Sequence, residues 1–335
     1  MFSGCDTVVA CYAAAPMDDA GSTTNGRVVV VTGPTAAGKT SMAIEIASRF
    51  GGEIINADSM QVFQYMDIGT AKPTLEQRSQ VPHHLFDIVA PNVEYSAGRY
   101  AREARAKAAE IHAAGGLVVL TGGTGLYIRS FLQGLIETGP PDRELRAKLE
   151  EEHAVAVEAG EPRRLHERLR EFDPEAANRI HPNDARRTIR ALEIVAGAGR
   201  EASAVRDEHG FSDQRFETLH LALDPGRDVV NERIATRCDL MIDAGLLREV
   251  RELRRRGYAA DLRPMQAIGY RHMNPVVDGG DTLANAVVEM GKDTRQFARR
   301  QRTWLRAVEG VEWLDPREEG AILARTEAFL NDSPQ

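Results

Sequence analysis

Short apolar runs alternate with helical stretches in the N-terminal part of the chain. A β-branched run at residues 28–31 is followed by a glycine-rich turn and an amphipathic stretch at 41–50. Two further apolar runs, at 53–57 and 117–121, flank a helical pattern at about 96–114. Continuous apolar runs are typical of strands that are buried on both faces. We therefore predict an α/β fold whose parallel sheet is flanked by helices.

The pattern changes in the middle of the chain. Between about residues 142 and 199 only helical periodicity is present, and strand character returns at 218–223. Apolar residues then recur every three or four positions from Ile234 to Leu253, which predicts one long amphipathic helix. We infer an α/β core that is interrupted by an all-helical insertion.

These shifts suggest five segments along the chain. We predict a flexible N-terminal extension (1–26), the first part of the core (27–140), a helical insertion domain (141–205), the second part of the core with a basic C-terminal helix (206–315), and a tail that holds a short terminal helix (316–335).

A phosphate-binding loop is the strongest motif. Residues 33–40 read Gly-Pro-Thr-Ala-Ala-Gly-Lys-Thr, which fits G-x-x-x-x-G-K-[ST] between a strand and a helix. Backbone N–H groups of such a loop and the helix N-terminus surround oxyanions. We expect Lys39 to reach the terminal phosphates and the Thr40 hydroxyl to bind Mg²⁺. The predicted phosphate ligands are Gly33, Pro34, Thr35, Ala36, Ala37, Gly38, Lys39 and Thr40.

The ends of the other strands argue against a simple ATPase. The 117–121 strand runs into Gly122-Gly123-Thr124, where an ATPase would place a magnesium-binding Asp. The 53–57 strand is followed by Asp58 and Ser59. A carboxylate at the carboxyl end of a core strand, beside the phosphate loop, is well placed for chemistry.

Composition narrows the class of protein. The chain has 335 residues, 42% hydrophobic and 27% charged, as expected for a soluble protein of about two domains. Apolar runs are far shorter than the roughly 20 residues of a membrane helix, so we predict no membrane partner. Three cysteines without a CxxC pair predict no zinc site and fit a reducing cytoplasm. The net charge of −8 leaves room for a local basic patch.

Two arginine clusters stand out from this acidic background. Arg186, Arg187 and Arg190 open one helix. In another helix, Arg295, Arg299, Arg302 and Arg306 form an arginine stripe, and Phe297, Trp304 and Val308 follow an opposite line that we expect to face the core. Because no acidic residue interrupts the stripe, we predict that it contacts nucleic-acid phosphates.

Together these motifs resemble the bacterial tRNA dimethylallyltransferases, also called tRNA isopentenyltransferases. The resemblance covers about residues 28–314 and is carried by GPTAAGKT (33–40), INADSMQVF (55–63), MDIGTAKPT (66–74), VPHHL (81–85), GGTGLY (122–127), RIHPNDARRTIRALE (179–193), AIGYR (267–271) and RRQRTWLR (299–306).

The resemblance implies a reaction. Members of the family transfer a dimethylallyl group from dimethylallyl diphosphate to N6 of the adenine on the 3′ side of the tRNA anticodon. The loop would then hold the diphosphate, with Mg²⁺ at Thr40, although such loops otherwise bind ATP. Asp58 would be the general base, and Lys39, Thr40 and Arg233 would complete the catalytic set.

The resemblance also implies a surface for the anticodon stem-loop, on a protein that we expect to be monomeric. The predicted tRNA contacts are Asp58, Ser59, Met60, Gln61, Thr124, Arg146, Arg186, Arg187, Thr188, Ile189, Arg190, Gln266, Ala267, Ile268, Gly269, Tyr270, Arg271, Arg299, Arg300, Gln301, Arg302, Thr303, Trp304, Leu305 and Arg306.

Other functions remain open at this level. An adenylate isopentenyltransferase would use the same donor on free AMP or ADP, without needing the arginine clusters. A small-molecule kinase would use ATP in the loop, which the Gly-Gly-Thr strand end disfavours. A nucleotide-gated RNA-binding switch would need a γ-phosphate sensor, and the sequence offers no candidate.

Overall fold

A six-stranded parallel sheet is the centre of the protein. The structure, a computed structural model, describes residues 26–134, 142–198, 202–203 and 216–332. The strands are β1 (Gly26–Thr32), β2 (Gly52–Asn56), β3 (His83–His84), β4 (Leu117–Thr121), β5 (Phe216–Leu223) and β6 (Val311–Leu314). They are ordered β3-β2-β4-β1-β5-β6, and the neighbouring strands run parallel. The predicted α/β fold is confirmed.

Helices precede or follow these strands along the chain, and some of them pack on the two faces of the sheet. They are α1 (Lys39–Phe50), α2 (Leu75–Gln80), α3 (Ala97–Ala113), α4 (Gly125–Gln133), α5 (Arg143–Glu158), α6 (Arg164–Phe172), α7 (Pro174–Arg179), α8 (Ala185–Ala198), α9 (Arg227–Asp243), α10 (Leu246–Arg255), α11 (Tyr270–Val277), α12 (Leu283–Arg306) and α13 (Glu319–Asn331). Within the described ranges, none of them is long and apolar enough to cross a bilayer.

Side chains on the two faces of β1 belong to two separate hydrophobic clusters. Val28 and Val30 pack with side chains of α3, α4 and α9, whereas Val29 and Val31 pack with α1 and α13. Because successive residues of a strand point to opposite faces, a continuous valine run supplies both layers at once. This two-sided burial is the physical reason why the apolar runs of the sequence predict parallel strands.

The helices α5 to α8 enclose a small hydrophobic cluster of their own. It is built from Leu149, Leu165, Leu169, Ile189 and Leu192. This cluster is what the helical periodicity between β4 and β5 predicts. The proposed segment boundaries near residues 141 and 205 lie outside the described residues, as does the N-terminal extension up to residue 25, so these stay predictions.

The predicted long helix from Ile234 to Leu253 is wrong, because the structure breaks it into α9 and α10. Gly245 separates them in a left-handed conformation, with φ of 99°, which a glycine adopts without a Cβ penalty. Ile234 before the break and Val250 after it pack into the same cluster. The apolar spacing therefore continues across the break, so the sequence pattern does not reveal it.

The C-terminal helix α13 is part of the core. Its Ile322, Leu323 and Phe329 are buried in the cluster that holds Val29 and Val31. The predicted short terminal helix is thus present at residues 319–331, and it packs into the core. The sequence places the helix correctly, but its acidic and small residues give no sign of the surface against which it packs.

The burial of Phe329 predicts a measurable contribution to stability. Its side chain is 7% exposed, so Phe329→Ala should lower the free energy of unfolding by about 3 kcal/mol, through lost burial and an unfilled cavity. Phe172→Ala is the matched control, because that side chain is 52% exposed and its loss should change the value by less than about 0.5 kcal/mol. Urea denaturation measures both. Equal effects would contradict the docking of α13.

Candidate active site

The phosphate loop joins the carboxyl end of β1 to the amino end of α1. Helix α1 begins at Lys39, so its unpaired N–H groups and positive dipole end face the loop. The Lys39 ammonium donates hydrogen bonds to the carbonyl oxygens of Gly33 and Pro34, at 3.2 and 2.9 Å. The loop therefore holds a cation at the point where an oxyanion would meet backbone N–H groups.

A cavity of about 790 Å³ opens from this loop across the carboxyl ends of β2 and β4. It brings together all four catalytic candidates and many of the predicted contacts. The predicted residues that line it are Thr35, Ala36, Gly38, Lys39, Thr40, Asp58, Ser59, Met60, Gln61, Thr124, Arg233, Gln266, Ala267, Ile268, Arg271 and Arg300.

Asp58 is fixed by the backbone around the end of β2. Its Oδ1 accepts a hydrogen bond from the N–H of Met60 at 2.8 Å. Its own N–H donates to Oδ1 of Asn56 at 2.9 Å, and the buried Asn56 amide donates to the carbonyls of Asp58 and Leu85. The carboxylate is thus held by hydrogen bonds at the end of β2, where Asp58 lines the cavity.

The Gly-Gly-Thr turn after β4 is tied to the same place. The Thr124 hydroxyl accepts a hydrogen bond from the N–H of Ser59 at 2.9 Å and lies 3.2 Å from the Ser59 hydroxyl, to which it donates. The N–H of Thr124 donates to the carbonyl of Ala57. The two strand ends that carry the Asp-Ser and Gly-Gly-Thr motifs therefore form one wall of the cavity.

Positive charge dominates this cavity. Burial, together with the nearby positive charge of Arg237, lowers the pKa of Lys39 to about 8 against the opposing attraction of Asp58. Burial also lowers the pKa of Arg237, again opposed by Asp58. Arg233 extends to the loop and lies 3.4 Å from the carbonyl oxygen of Ala36. These cations outnumber the Asp58 carboxylate, which suits a ligand with several negative charges.

Arg237 is a site residue that the sequence reasoning missed. It follows Arg233 by four positions on α9, and both side chains line the cavity. Residues four apart lie on the same face of a helix, so this spacing was a usable signal. The resemblance to the family implies a role for Arg233 and none for Arg237.

A loop at the other rim of the cavity is held by Glu249 of α10. The Glu249 carboxylate accepts hydrogen bonds from the N–H groups of Asp67, Ile68 and Gly69, at 3.0, 2.8 and 3.2 Å. It also accepts one from the hydroxyl of Tyr270 at 2.7 Å. Gly69 lines the cavity, so Glu249 positions part of its wall although no motif of the sequence singles it out.

The arginine stripe lines a separate cleft of about 880 Å³. The cleft is also lined by two further cations and by two carboxylates, which are Arg227, Lys292, Asp224 and Asp293. The four arginines of the stripe therefore lie on one face of α12, as predicted.

The line of apolar residues opposite the stripe is less buried than predicted. Phe297, Trp304 and Val308 are each only half-buried, although Trp304 does pack against the cluster that holds Val28 and Val30. The fully buried side chains of this part of α12 are instead Ala298, Gln301 and Leu305. The expectation that the aromatic line forms the core-facing side is therefore wrong for the helix as a whole.

Arg302 differs from the rest of the stripe. Its guanidinium makes two hydrogen bonds to the Asp224 carboxylate, at 2.8 and 2.6 Å, and the pair is mostly buried. Asp224 follows β5, so this ion pair joins α12 to the sheet. Breaking such a buried pair would disturb the structure itself, which makes Arg302 a poor probe of RNA contact.

Four of the predicted tRNA contacts are wrong, because their side chains are buried. The side chains of Thr188, Ile189, Tyr270 and Leu305 are at most 7% exposed. They pack inside the protein, where a macromolecule does not reach them. The motif match included them because they lie between residues that do reach the surface, and a stretch of sequence does not separate the two faces of a helix.

The remaining predicted residues are distributed as follows. Arg186 and Arg187 are exposed on α8, and Arg190 lies 3.2 Å from Glu193. The Arg146 guanidinium is held by the same carboxylate, at 2.8 and 2.7 Å. Thr303 lines the arginine cleft. The predicted residues outside both cavities include Gly33, Pro34, Ala37, Gly269, Gln301 and Trp304.

Comparison with known proteins assigns the chain to a family. The sequence model of the family described as IPP transferase matches residues 61–308. The chain belongs to this family. The tRNA dimethylallyltransferase of Desulfosudis oleivorans is 47% identical over 298 residues, which are 89% of this chain and 94% of that protein.

Solved structures agree with this membership. The full-length tRNA isopentenylpyrophosphate transferase of Bacillus halodurans is 37% identical, with a TM-score of 0.66 over 91% of this chain and 97% of that one. A eukaryotic dimethylallyltransferase, solved in snapshots of its action on tRNA, is 27% identical. Its TM-score is 0.78 over 92% of this chain and 80% of that one. The IPP transferase fold therefore extends well beyond the segment that the family model matches.

The lowered pKa of Lys39 predicts a pH dependence of anion binding. The ammonium form attracts phosphate, so the affinity for inorganic pyrophosphate should fall as the pH rises through the Lys39 pKa of about 8. Lys39→Arg keeps its charge over this range, and its affinity should fall less. Titration calorimetry measures the affinity of both proteins. The ionisation of pyrophosphate itself affects both measurements equally, so it does not explain a difference between them. Identical pH profiles would show that Lys39 does not meet the anion.

Proposed function

We propose that this IPP transferase transfers a dimethylallyl group from dimethylallyl diphosphate to N6 of the adenine on the 3′ side of the anticodon in tRNA, releasing diphosphate. The observation that carries the proposal is the single cavity shared by the phosphate loop, the Asp58 carboxylate and the polar segment Gln266–Arg271. A phosphate ester, a base and an acceptor all have a place there. The names of the relatives point to the same reaction.

The donor diphosphate would occupy the cationic end of the cavity. Lys39 and Arg233 already lie against carbonyls of the phosphate loop, and Arg237 lies close enough to both Lys39 and Asp58 to influence them electrostatically. Negative charge builds up on the diphosphate as its bond to the allylic carbon weakens. Fixed cations and N–H groups stabilise that charge without reorganising, which lowers the barrier.

Asp58 would accept the proton at the acceptor end. The lone pair of N6 attacks the allylic C1 of the donor, the N6–C1 bond forms, and the C1–O bond breaks with its electron pair leaving on the diphosphate. The Asp58 carboxylate takes one proton from N6, so the product is a neutral secondary amine. General-base help of this kind typically contributes about 10²–10⁴-fold in rate.

Mg²⁺ fits this arrangement as a companion of the diphosphate. The described residues contain no cluster of three or more His, Cys, Asp or Glu side chains that would hold a metal by themselves. Mg²⁺ often takes few protein ligands and completes its shell with water and substrate phosphates. We propose that the Thr40 hydroxyl is its protein ligand, and that the ion would neutralise charge on the leaving diphosphate.

The arginine cleft would bind the tRNA backbone. A stacked adenine cannot enter the cavity, so the base must be turned out of the anticodon loop at a cost of a few kcal/mol. Contacts with phosphates supply affinity and fix the register of the RNA. Arg295, Arg299 and Arg306 are placed for this, and we propose a monomeric enzyme that acts on tRNA in the cytoplasm.

The deciding experiment offers the purified protein Mg²⁺ and labelled dimethylallyl diphosphate, with either unmodified tRNA or AMP. Label on tRNA alone is the expected result. Label on AMP alone would keep Asp58 and the phosphate loop in their roles but change the acceptor to that of an adenylate isopentenyltransferase. Label on neither, with ATP turned over in the presence of small acceptors, would favour a kinase.

The role of Asp58 can be tested separately from binding. Asp58→Asn should lower kcat by about 10²–10⁴-fold, because the amide no longer accepts the proton. Its affinity for pyrophosphate should be equal or higher, since a negative charge has been removed from the cavity. Asp239→Asn, at an exposed position of α9, is the control with the same chemical change. A fully active Asp58→Asn enzyme would remove Asp58 from the chemistry.

The cleft can be tested with a charge-removing double variant. Arg299→Gln with Arg306→Gln should raise KM for tRNA and reduce the slope of log affinity against log salt by roughly 1 to 2, because each arginine would neutralise about one phosphate. KM for the donor should not change. Arg49→Gln with Arg102→Gln removes the same charge from exposed positions of α1 and α3. If donor KM alone rose, the stripe would not be an RNA contact.

A further inference from the structure

We propose that Gln301 is a positioning residue that fastens the phosphate loop and the Gly-Gly-Thr turn to helix α12, instead of contacting tRNA as the sequence predicted. The inference rests on the proposed function. Gln301 is 6% exposed and lies on the buried face of α12 beside Ala298 and Leu305. A polar side chain at such a position is costly unless its hydrogen bonds are satisfied.

Both ends of the Gln301 amide are satisfied by loops of the active site. Its Oε1 accepts a hydrogen bond from the N–H of Thr35 at 2.8 Å. Its Nε2 donates to the carbonyl oxygen of Gly123 at 3.1 Å. Thr35 lies in the phosphate loop after β1, and Gly123 lies in the turn after β4. One side chain thus bridges the two loops that enclose the cavity from adjacent strands.

The lack of a side chain at Gly123 leaves room for the Gln301 amide. A Cβ built on Gly123 would lie 2.2 Å from Nε2 of Gln301, so the glutamine amide fits because residue 123 has no side chain. A glutamine is suited to the position because it offers an acceptor and donors on one rigid group. The next residue, Arg302, holds Asp224 at the end of β5. Consecutive residues of α12 therefore attach to the ends of three strands.

This attachment links the two functional surfaces. The phosphate loop binds anions through backbone N–H groups, whose directions depend on how the loop is held. The same helix carries the arginine stripe on another face. Without Gln301, the N–H of Thr35 and the carbonyl of Gly123 lose their partner, and we expect the loop to populate other conformations. Diphosphate binding should suffer, whereas RNA binding through the cleft should not.

The test uses Gln301→Met, which keeps the length and volume of the side chain but removes both hydrogen bonds. We expect the affinity for inorganic pyrophosphate to fall about tenfold, as for the loss of a buried hydrogen bond of typical strength, and KM for dimethylallyl diphosphate to rise in parallel. The affinity for tRNA should stay within about twofold of the wild type. Gln80→Met, at an exposed end of α2, is the matched control.

A second variant, at Gly123, tests the same hydrogen bonds of Gln301. Gly123→Ala should displace the Gln301 amide and weaken pyrophosphate binding in the same way. The double variant with Gln301→Met should bind pyrophosphate no more weakly than the weaker single variant, because both substitutions remove the same pair of hydrogen bonds. If Gln301→Met does not fold, Gly123→Ala decides the question by the same measurements.

The outcomes separate this proposal from the proposed function. Pyrophosphate binding involves no acceptor, so a wild type that binds pyrophosphate but transfers nothing to tRNA would refute the function and leave the bridge testable. Pyrophosphate affinity equal to the wild type in Gln301→Met would overturn the bridge. A loss of tRNA affinity with unchanged pyrophosphate binding would also overturn it, and would restore Gln301 as an RNA contact.

Discussion

Burial of positive charge at one edge of a parallel sheet is the constraint on which the rest of this structure depends. Lys39 and Arg237 line the cavity as half-buried side chains, and their burial lowers the pKa of each. Parallel strands end at the same edge, so β1 brings the phosphate loop, β2 brings Asp58 and β4 brings Thr124 to that place. The fold thus gathers cations, backbone N–H groups and one carboxylate in a cavity that favours a polyanionic substrate.

Helix α12 connects this edge to a second functional surface. Its buried face reaches the strand ends through Gln301 and Arg302, and another face presents Arg295, Arg299 and Arg306 to a separate cleft. A helix is stiff over its length, so a single element fixes the distance between the cleft and the cavity. This geometry suits an enzyme of the IPP transferase family, which would bind a large nucleic acid while one base enters the cavity.

Local signals in the sequence predicted what depends on local structure. The phosphate loop, the strands β1, β2, β4 and β5, and the single face of the arginine stripe follow from short-range spacing. The strands β3 and β6 were missed because two to four residues carry no periodicity. The pairing of Arg302 with Asp224 and of Glu249 with the 67–69 backbone joins residues about 80 and 180 positions apart, and no pattern along the chain encodes such contacts.

The cations of the cavity are held by the protein's own carbonyl oxygens. Lys39 donates to the carbonyls of Gly33 and Pro34, and Arg233 reaches that of Ala36. A diphosphate bound as proposed would exchange these neutral acceptors for charged ones, and charge-assisted hydrogen bonds are the stronger kind. Both cations already lie against the backbone of the phosphate loop. Preorganisation of this kind would stabilise the charge that grows during the proposed reaction, so the shape of the loop would matter for catalysis as well as for binding.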